Sequence, residues 1–321
     1  MKKLLPLLAF GCLLATACNR QSDPSSPGGK KTLKVGFSQI GAESAWRTAN
    51  TQSIKDAAQK SGISLVFSDA QQKQENQIKA LRSFVAQGVD VIAFSPVVNT
   101  GFEPVLQEIK QAGIPVVLSD RSVDVSDQSL YETFVGSDFV EEGRRAGKWL
   151  AEHANGKAVV AELVGTPGAA PAIDRKKGFE EAISKYPDMK IVLSQSGDFT
   201  RAKGKEVMEA FLKSPEGKNV TAVYAHNDDM ALGAIQAMEE AGVQPGKTVM
   251  VVSIDGVKAA FEAIIAGKLN CTVECNPLIG DTIMDLAQKV ANHQQVSKRV
   301  TVTEGVFDAT NAAAELSKRK Y

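Results

Sequence analysis

Pro115-Val116-Val117-Leu118-Ser119-Asp120-Arg121 and Val249-Met250-Val251-Val252-Ser253-Ile254-Asp255-Gly256 are apolar runs in distant parts of the chain, and each stops at an acid. A helical pattern flanks each run. An apolar run of this length in that setting reads as a parallel strand buried on both faces. In open α/β sheets, ligands sit just beyond the carboxyl ends of the strands. Two acids delivered to such edges from two parts of one chain point to a polar ligand gripped between two sheets.

Outward from these runs the pattern alternates. Leu33 to Gln39, Ser64 to Ser68, Val91 to Ser95 and Val116 to Ser119 read as strands. Between them Arg47 to Ser61, Gln72 to Gln87 and Gly101 to Ala112 read as helices, which stop at Gly62, Gly88 and Gly113 as C-caps do. Ser122 to Leu130 reads as a polar loop, and Phe134-Val135-Gly136 resumes the pattern. A second series follows, with helices at Phe139 to Ala154, Ala172 to Lys185, Arg201 to Ser214 and Asp229 to Ala241. Its strands are Lys157 to Val164, Lys190 to Ser196, Ala222 to Ala225 and Thr248 to Ile254. Beyond these, Asn270 to Glu274 and Val300 to Val302 read as strands, and Ile279 to Ala291 and Ala309 to Ser317 as helices. The expected fold class is α/β: two similar lobes, each a doubly wound parallel sheet with right-handed crossovers.

The front of the chain reads differently. Met1-Lys2-Lys3 precedes an apolar stretch from Leu4 to Ala17, which fits a bacterial signal peptide. The stretch is shorter than the roughly 20 residues a membrane-spanning helix needs. Leu14-Ala15-Thr16-Ala17-Cys18 resembles a lipoprotein processing box, which would place a lipid on Cys18. Asn19 to Lys31 is rich in Ser, Pro and Gly and reads as a flexible tether. Lysine plus arginine and aspartate plus glutamate each number 37, for a net charge of zero. The basic residues are scattered, whereas a nucleic-acid surface needs a clustered positive stripe. Cys271 and Cys275 on an extended segment would lie roughly 13 Å apart, too far for a disulfide, and read as small buried hydrophobes.

Several stretches together carry a family resemblance. They are Ile114-Pro115-Val116-Val117 leading to Asp120-Arg121, Gly165 leading to Arg175 with Gly178-Phe179, and Ala225-His226-Asn227-Asp228-Asp229-Met230-Ala231. Ser253-Ile254-Asp255-Gly256 and Glu274-Cys275-Asn276-Pro277 complete the set. From Lys34 onward the chain resembles the periplasmic sugar-binding proteins of ABC importers, of the ribose and galactose type. Glu43-Ser44-Ala45-Trp46-Arg47 and Thr272 to Pro277 resemble the galactofuranose-binding subgroup. The resemblance implies two lobes joined by three hinge strands, near Gly136-Ser137, Cys275-Asn276 and Gly305-Val306. The lobes would then comprise residues 33–136 with 277–304, and 137–276 with 305–321. It further implies an extracytoplasmic, lipid-anchored, monomeric protein that hands a monosaccharide to an ABC permease, with no cofactor, metal or enzymatic activity.

A sugar needs hydrogen-bonding groups for its hydroxyls and an apolar plate for its C–H face. Asp120 with Arg121, and Asp255, follow buried strands and are read as hydroxyl partners. Asn227 offers both a donor and an acceptor, although Asn is also a preferred N-cap. Asp228 and Asp229 are assigned to the helix start. Arg175 is assigned to the ligand, and Lys176 and Lys177 to a solvated face. Trp46 is expected to stack on the sugar, with Arg47, Ser44 and Glu43 beside it, while Trp149 is expected in the core. Asn276 and Glu274 on the presumed hinge strand, and Asp69 and Gln72 after the second strand, complete the candidates.

Enzyme signatures are weak. No Gly-x-Gly-x-x-Gly opens a helix, and no Gly-x-Ser-x-Gly elbow appears. Gly143 to Lys148 only faintly resembles a phosphate loop, since Trp149 stands where Ser or Thr is needed. His153, His226 and His293 show no metal spacing. The alternatives are a sugar-sensing ligand domain for a chemoreceptor or kinase, an exported sugar-modifying enzyme, and a sugar-responsive repressor. The last would need a DNA-binding helical pair where this chain has a leader and a tether. A polyol remains an alternative ligand.

Overall fold

The computed structural model describes residues 32–321, and the leader, Cys18 and the tether from Asn19 to Lys31 lie outside the described residues. The described residues form two six-stranded sheets flanked by helices. The first draws on β1 (Lys34–Gln39), β2 (Ser64–Asp69), β3 (Val91–Phe94), β4 (Val116–Ser119) and β5 (Thr133–Gly136), with α1 (Ala45–Lys60), α2 (Gln74–Ala86) and α3 (Glu103–Gln111) between them. The chain then builds α4 (Phe139–His153), β6 (Lys157–Val164), α5 (Ala170–Ile183), β7 (Asp188–Ser196), α6 (Arg201–Lys213), β8 (Ala222–Ala225) and α7 (Asp228–Glu240). It continues with β9 (Met250–Asp255), α8 (Lys258–Ile265), β10 (Cys271–Glu274), α9 (Gly280–Ala291), β11 (Arg299–Thr301), β12 (Val306–Asp308) and α10 (Ala312–Glu315). The strand orders are β11-β5-β4-β3-β1-β2 and β12-β10-β9-β8-β6-β7. All pairings are parallel except β10 with β12.

The apolar runs form strands because both faces of the sheet are covered. In β3, Val91 and Ala93 face the core under α1 and α9, while Ile92 and Phe94 face the core under α2 and α3. This alternation lets one four-residue strand serve two cores, each large side chain contributing about 1.5–3 kcal/mol. Gly88 and Gly113 follow α2 and α3 at φ 59° and 71°, a region glycine enters without penalty. The second sheet has one continuous core, in which Phe179 stacks on Tyr224 with centroids 3.9 Å apart. Cys271 and Cys275 are buried and free, as the extended spacing requires.

Some expectations need correction. The expected helix from Ala309 to Ser317 starts late: a turn at 309–311 follows the short strand β12, and the one-turn α10 then runs on into a 3-10 turn over Leu316–Lys318. Asp308 Oδ1 accepts from the Thr310 amide at 2.9 Å, and Asn311 Oδ1 from the Asp308 amide at 2.9 Å, a side-chain turn that delays the helix. The Ser122 to Leu130 loop buries Val123, Val125 and Leu130. Trp149 is half-buried at the edge of the second core, its indole N–H donating to Asp308 at 2.9 Å. Lys176 is paired with the buried Glu162 as well as with Glu180.

The chain crosses between the two sheets three times: between β5 and β6, β10 and β11, and β11 and β12. These crossings bring the carboxyl ends of β1 and β4 opposite those of β6, β8 and β9.

Candidate functional site

A small cavity lies between these ends, lined by Glu43, Ser44, Trp46, Arg47, Asp120 and Arg121 from the first half. Phe139, Pro171, Arg175, Phe199, Asn227, Asp255 and Cys275 line it from the second half. The loop after β1 delivers Glu43 and Ser44, and Ser44 caps α1 by accepting from the Arg47 amide at 3.1 Å. The cap fixes the first turn of α1, so Trp46 and Arg47 enter the cleft from a rigid element. Asp120 leaves β4 at φ 64°, and Asp255 ends β9 at φ 131°. Non-glycine residues held at positive φ cost about 1–3 kcal/mol and cluster at ligand clamps. The two sheets thus present an acid on strained backbone at matching strand ends.

The first wall is a charge-balanced cluster. Arg47 Nη2 donates to Asp120 Oδ2 at 2.7 Å, and its Nε donates to Glu43 Oε1 at 3.0 Å. Arg121 lies 3.9 Å from Glu43 and 3.8 Å from Asp120, and Nη1 donates to the Val97 carbonyl at 3.0 Å. Burial and the neighbouring Arg47 push Arg121 down to about 10. Burial works against ionised Glu43, but Arg47 and Arg121 hold its carboxyl below the usual range. In the second wall, Arg175 donates through Nε to Glu142 at 2.8 Å and through Nη1 to the His226 carbonyl at 2.6 Å. Its Nη2 lies 3.4 Å from Asp255 Oδ1. Burial raises Asp255 well above the ordinary carboxylate range, despite Arg175.

Three buried atoms of the first wall, Glu43 Oε2, Arg47 Nη1 and Arg121 Nε, have no hydrogen-bond partner in the protein. A buried polar atom without a partner is costly, so these valences point to a polar ligand. Each arginine also lies near an aromatic ring: Arg47 at 4.6 Å from Trp46, Arg121 at 5.3 Å from Phe199, and Arg175 at 5.2 Å from Phe139. A guanidinium near a ring face keeps its in-plane N–H groups for hydrogen bonding. Direct bonds tie the halves around the cavity. The Ala45 amide donates to Asp229 at 2.8 Å, the Trp46 indole to the Cys275 carbonyl at 2.6 Å, and the Asn99 amide to the Gly168 carbonyl at 3.0 Å.

The structure brings together Glu43, Ser44, Trp46, Arg47, Asp120, Arg121, Arg175, Asn227 and Asp255. Asn227 also serves as the cap of α7, accepting from the Met230 amide at 3.0 Å and donating to Phe199 at 3.1 Å. Glu274 and Asn276 do not line the cavity. Glu274 accepts from Arg319 and from the Gly305 amide, and Asn276 Oδ1 accepts from the Leu278 amide at 2.9 Å. Their side chains are spent on the tail and on a local turn. Asp69 and Gln72 are exposed and shape the turn after β2. Phe139, Pro171, Phe199 and Cys275 were not among the sequence candidates. Phe139 opens the helix after β5 and Phe199 precedes the helix after β7, so their only signal in the sequence is their position beyond a strand end.

Glu142, Cys275 and Glu304 place three donor atoms within 4.8 Å of one another. Glu142 Oε2 is committed to Arg175, and Glu304 Oε1 accepts from Ser137 and from the Asn276 amide. The guanidinium supplies the positive charge that an ion would bring.

Residues 35–295 match the periplasmic binding protein domain family. The galactofuranose-binding protein of Escherichia coli (strain K12) is 54% identical over 291 residues, 90% of this chain and 92% of that protein. A crystal structure from Mycobacterium smegmatis in complex with β-D-fucofuranose is 55% identical at TM-score 0.88, covering 90% of this chain and 96% of its own. The periplasmic binding protein component of the arabinose ABC transporter from Shewanella sp. ANA-3, bound to α- and β-L-arabinofuranose, is 52% identical at TM-score 0.87. That alignment covers 89% of this chain and 95% of the Shewanella protein.

Proposed function

We propose a function from one premise: the chain belongs to the periplasmic binding protein domain family. It captures a monosaccharide in furanose form between its two sheets and delivers it to the permease of an ABC importer. The observation that carries this reading is the cavity wall itself. Arg47, Asp120 and Arg121 face Arg175, Asn227 and Asp255 around one small space, with unpartnered donors and an acceptor in the wall. Carboxylates accept from sugar hydroxyls, guanidinium groups donate to them, and Trp46, Phe139 and Phe199 offer apolar faces to the C–H groups. The furanoses bound by the similar proteins fit that chemistry.

Capture proceeds by hinge closure about the three crossings, between lobes comprising residues 33–136 with 277–304 and 137–276 with 305–321. A ligand that touches both walls only when they approach shifts the population toward the closed form. The protein acts as a monomer outside the cytoplasm, held to the membrane through lipid on Cys18. Among the described residues no helix is long and apolar enough to cross a membrane. The site binds rather than transforms its ligand, because its acids are engaged in arginine pairs.

A thermal-shift series with D-galactose, L-arabinose, D-fucose, D-ribose and myo-inositol tests the reading. A ligand at 100 times its Kd adds about 2.7 kcal/mol of stability. Sugars with an accessible furanose form are expected to raise the melting temperature and myo-inositol to leave it unchanged. Failure of every sugar to shift it would overturn the reading.

A further inference from the structure

The knot where the three crossings meet is built around one carboxyl group. Glu304 lies on the third crossing, between β11 and β12. Its Oε1 accepts from the Ser137 hydroxyl, on the first crossing, and from the Asn276 amide at 3.1 Å, on the second. The Glu304 main-chain carbonyl accepts from Arg145 Nη1 of α4 at 2.9 Å. Ser137 Oγ lies 3.4 Å from Cys275 Sγ, and Cys275 lines the cavity. The Cys275 carbonyl accepts the Trp46 indole, and Glu142 holds Arg175. One side chain therefore ties all three crossings together, in the same cluster as Cys275 and Glu142, which hold Trp46 and Arg175.

We propose that Glu304 is a positioning residue for ligand capture: as a neutral carboxylic acid it holds the three crossings in the closed arrangement, so closure on a ligand takes up a proton. This rests on the furanose-capture reading above. The charges explain why the acid is neutral. Glu142, from α4, stands within the same donor cluster, and its one guanidinium partner, Arg175, is from α5. A second carboxylate there has no cation of its own. The other titratable groups facing the knot are the Cys275 thiol after β10, Asp255 at the end of β9, Arg145 on α4 and Arg299 on β11. Arg299 is committed to the Gly136 and Ser137 carbonyls at 3.1 and 2.5 Å. Burial, then the Glu142 charge, push Glu304 up to about 9.

An unperturbed glutamate titrates near 4.3. If opening releases Glu304 toward that value, the open form is deprotonated and the closed form protonated between roughly pH 5 and 9. Affinity is therefore full at the acid end of that window and falls as pH rises through it. Asp255 and Glu142, also raised by burial, would act in the same direction, so the variant must isolate Glu304.

Titration calorimetry with L-arabinose at pH 6, 7 and 8, in buffers of different ionisation enthalpy, tests this. Glu304 is expected to contribute close to one proton taken up per sugar at pH 7 and 8, a rise in Kd of up to about tenfold per pH unit on top of the share of Asp255 and Glu142. E304Q, a neutral isostere of the protonated acid, should bind as tightly as the native protein at pH 6 and lose most of the pH slope. Buffer-independent binding heats in the native protein would overturn the proposal without recourse to a variant. An equal slope in E304Q would overturn it as well. Absence of L-arabinose binding at every pH would instead overturn the capture reading, and this proposal with it.

Discussion

The two walls of the cleft use the same residue types in opposite ways. In the second wall most polar valences are already spent, Arg175 on Glu142, His226 and Asp255, and Asn227 on Met230 and Phe199, while the buried Glu142 Oε1 lacks a partner. Behind it lies a further buried pairing, Glu162 with His226 Nε2 at 3.2 Å and with Lys176. In the first wall Glu43, Arg47 and Arg121 each keep an unpartnered atom. The second wall is therefore the more fully paired, and the first carries more of the open valences proposed to meet a ligand. Preorganised groups bind with less ordering cost, so the division of labour favours both affinity and selectivity.

The sharpest way to break this contrast is Arg175→Met. It leaves Glu142 and Asp255 buried without their cation and is expected to cost about 3–5 kcal/mol of folding stability in urea unfolding. A loss confined to ligand affinity would show that the pairing in the second wall does not support the fold. In the first wall Asp120→Ala should act mainly on binding. It removes an acceptor and frees Arg47, weakening sugar affinity by about 2–3 kcal/mol in calorimetry. Unchanged affinity would sink the division proposed for that wall.

Acid titration probes the second wall from behind. Burial works to raise Glu162, but the His226 ring, Lys176 and Ser194 together hold it down to about 2. Because the folded value lies below the unfolded value of about 4.3, its stabilisation is present above pH 4 and is lost as pH falls toward 2. Glu162→Gln is expected to flatten that part of the stability curve, by about 2 kcal/mol, in chemical unfolding at stepped pH. The smallest effect is expected from Ser44→Ala. Loss of the α1 cap should cost about 1 kcal/mol of stability, with a matching loosening of Arg47 seen as a faster sugar off-rate.

The fold was legible because its cues are local. Strands covered on both faces leave continuous apolar runs such as Val249 to Ile254, and glycine stops mark the helix ends. Much of the site was legible for a related reason: Asp120 and Asp255 are charged residues placed where apolar strands end, whereas Arg175, inside α5, was marked by the family resemblance. Phe139 and Phe199 had no signal beyond their position, because an apolar residue at a helix start looks the same whether it faces a core or a cleft, and Cys275, just after β10, reads as a small buried hydrophobe. Glu142 is hidden within the regular period of α4. Glu274 and Asn276 misled because chain position locates a hinge but not the direction of its side chains. The three-residue β12 is too short to show a period at all.

Trp46 sits on a helix of the first half but packs within the core of the second. Pulling the halves apart would draw the indole out of that bed into water. Rings of this class bury roughly 150–250 Å², so exposing even half of one costs about 2–3 kcal/mol at the usual area coefficient. The empty jaws are thus spring-loaded toward shutting by an aromatic wedge that belongs to neither the guest nor the hinge, and the guest has only to supply the remainder.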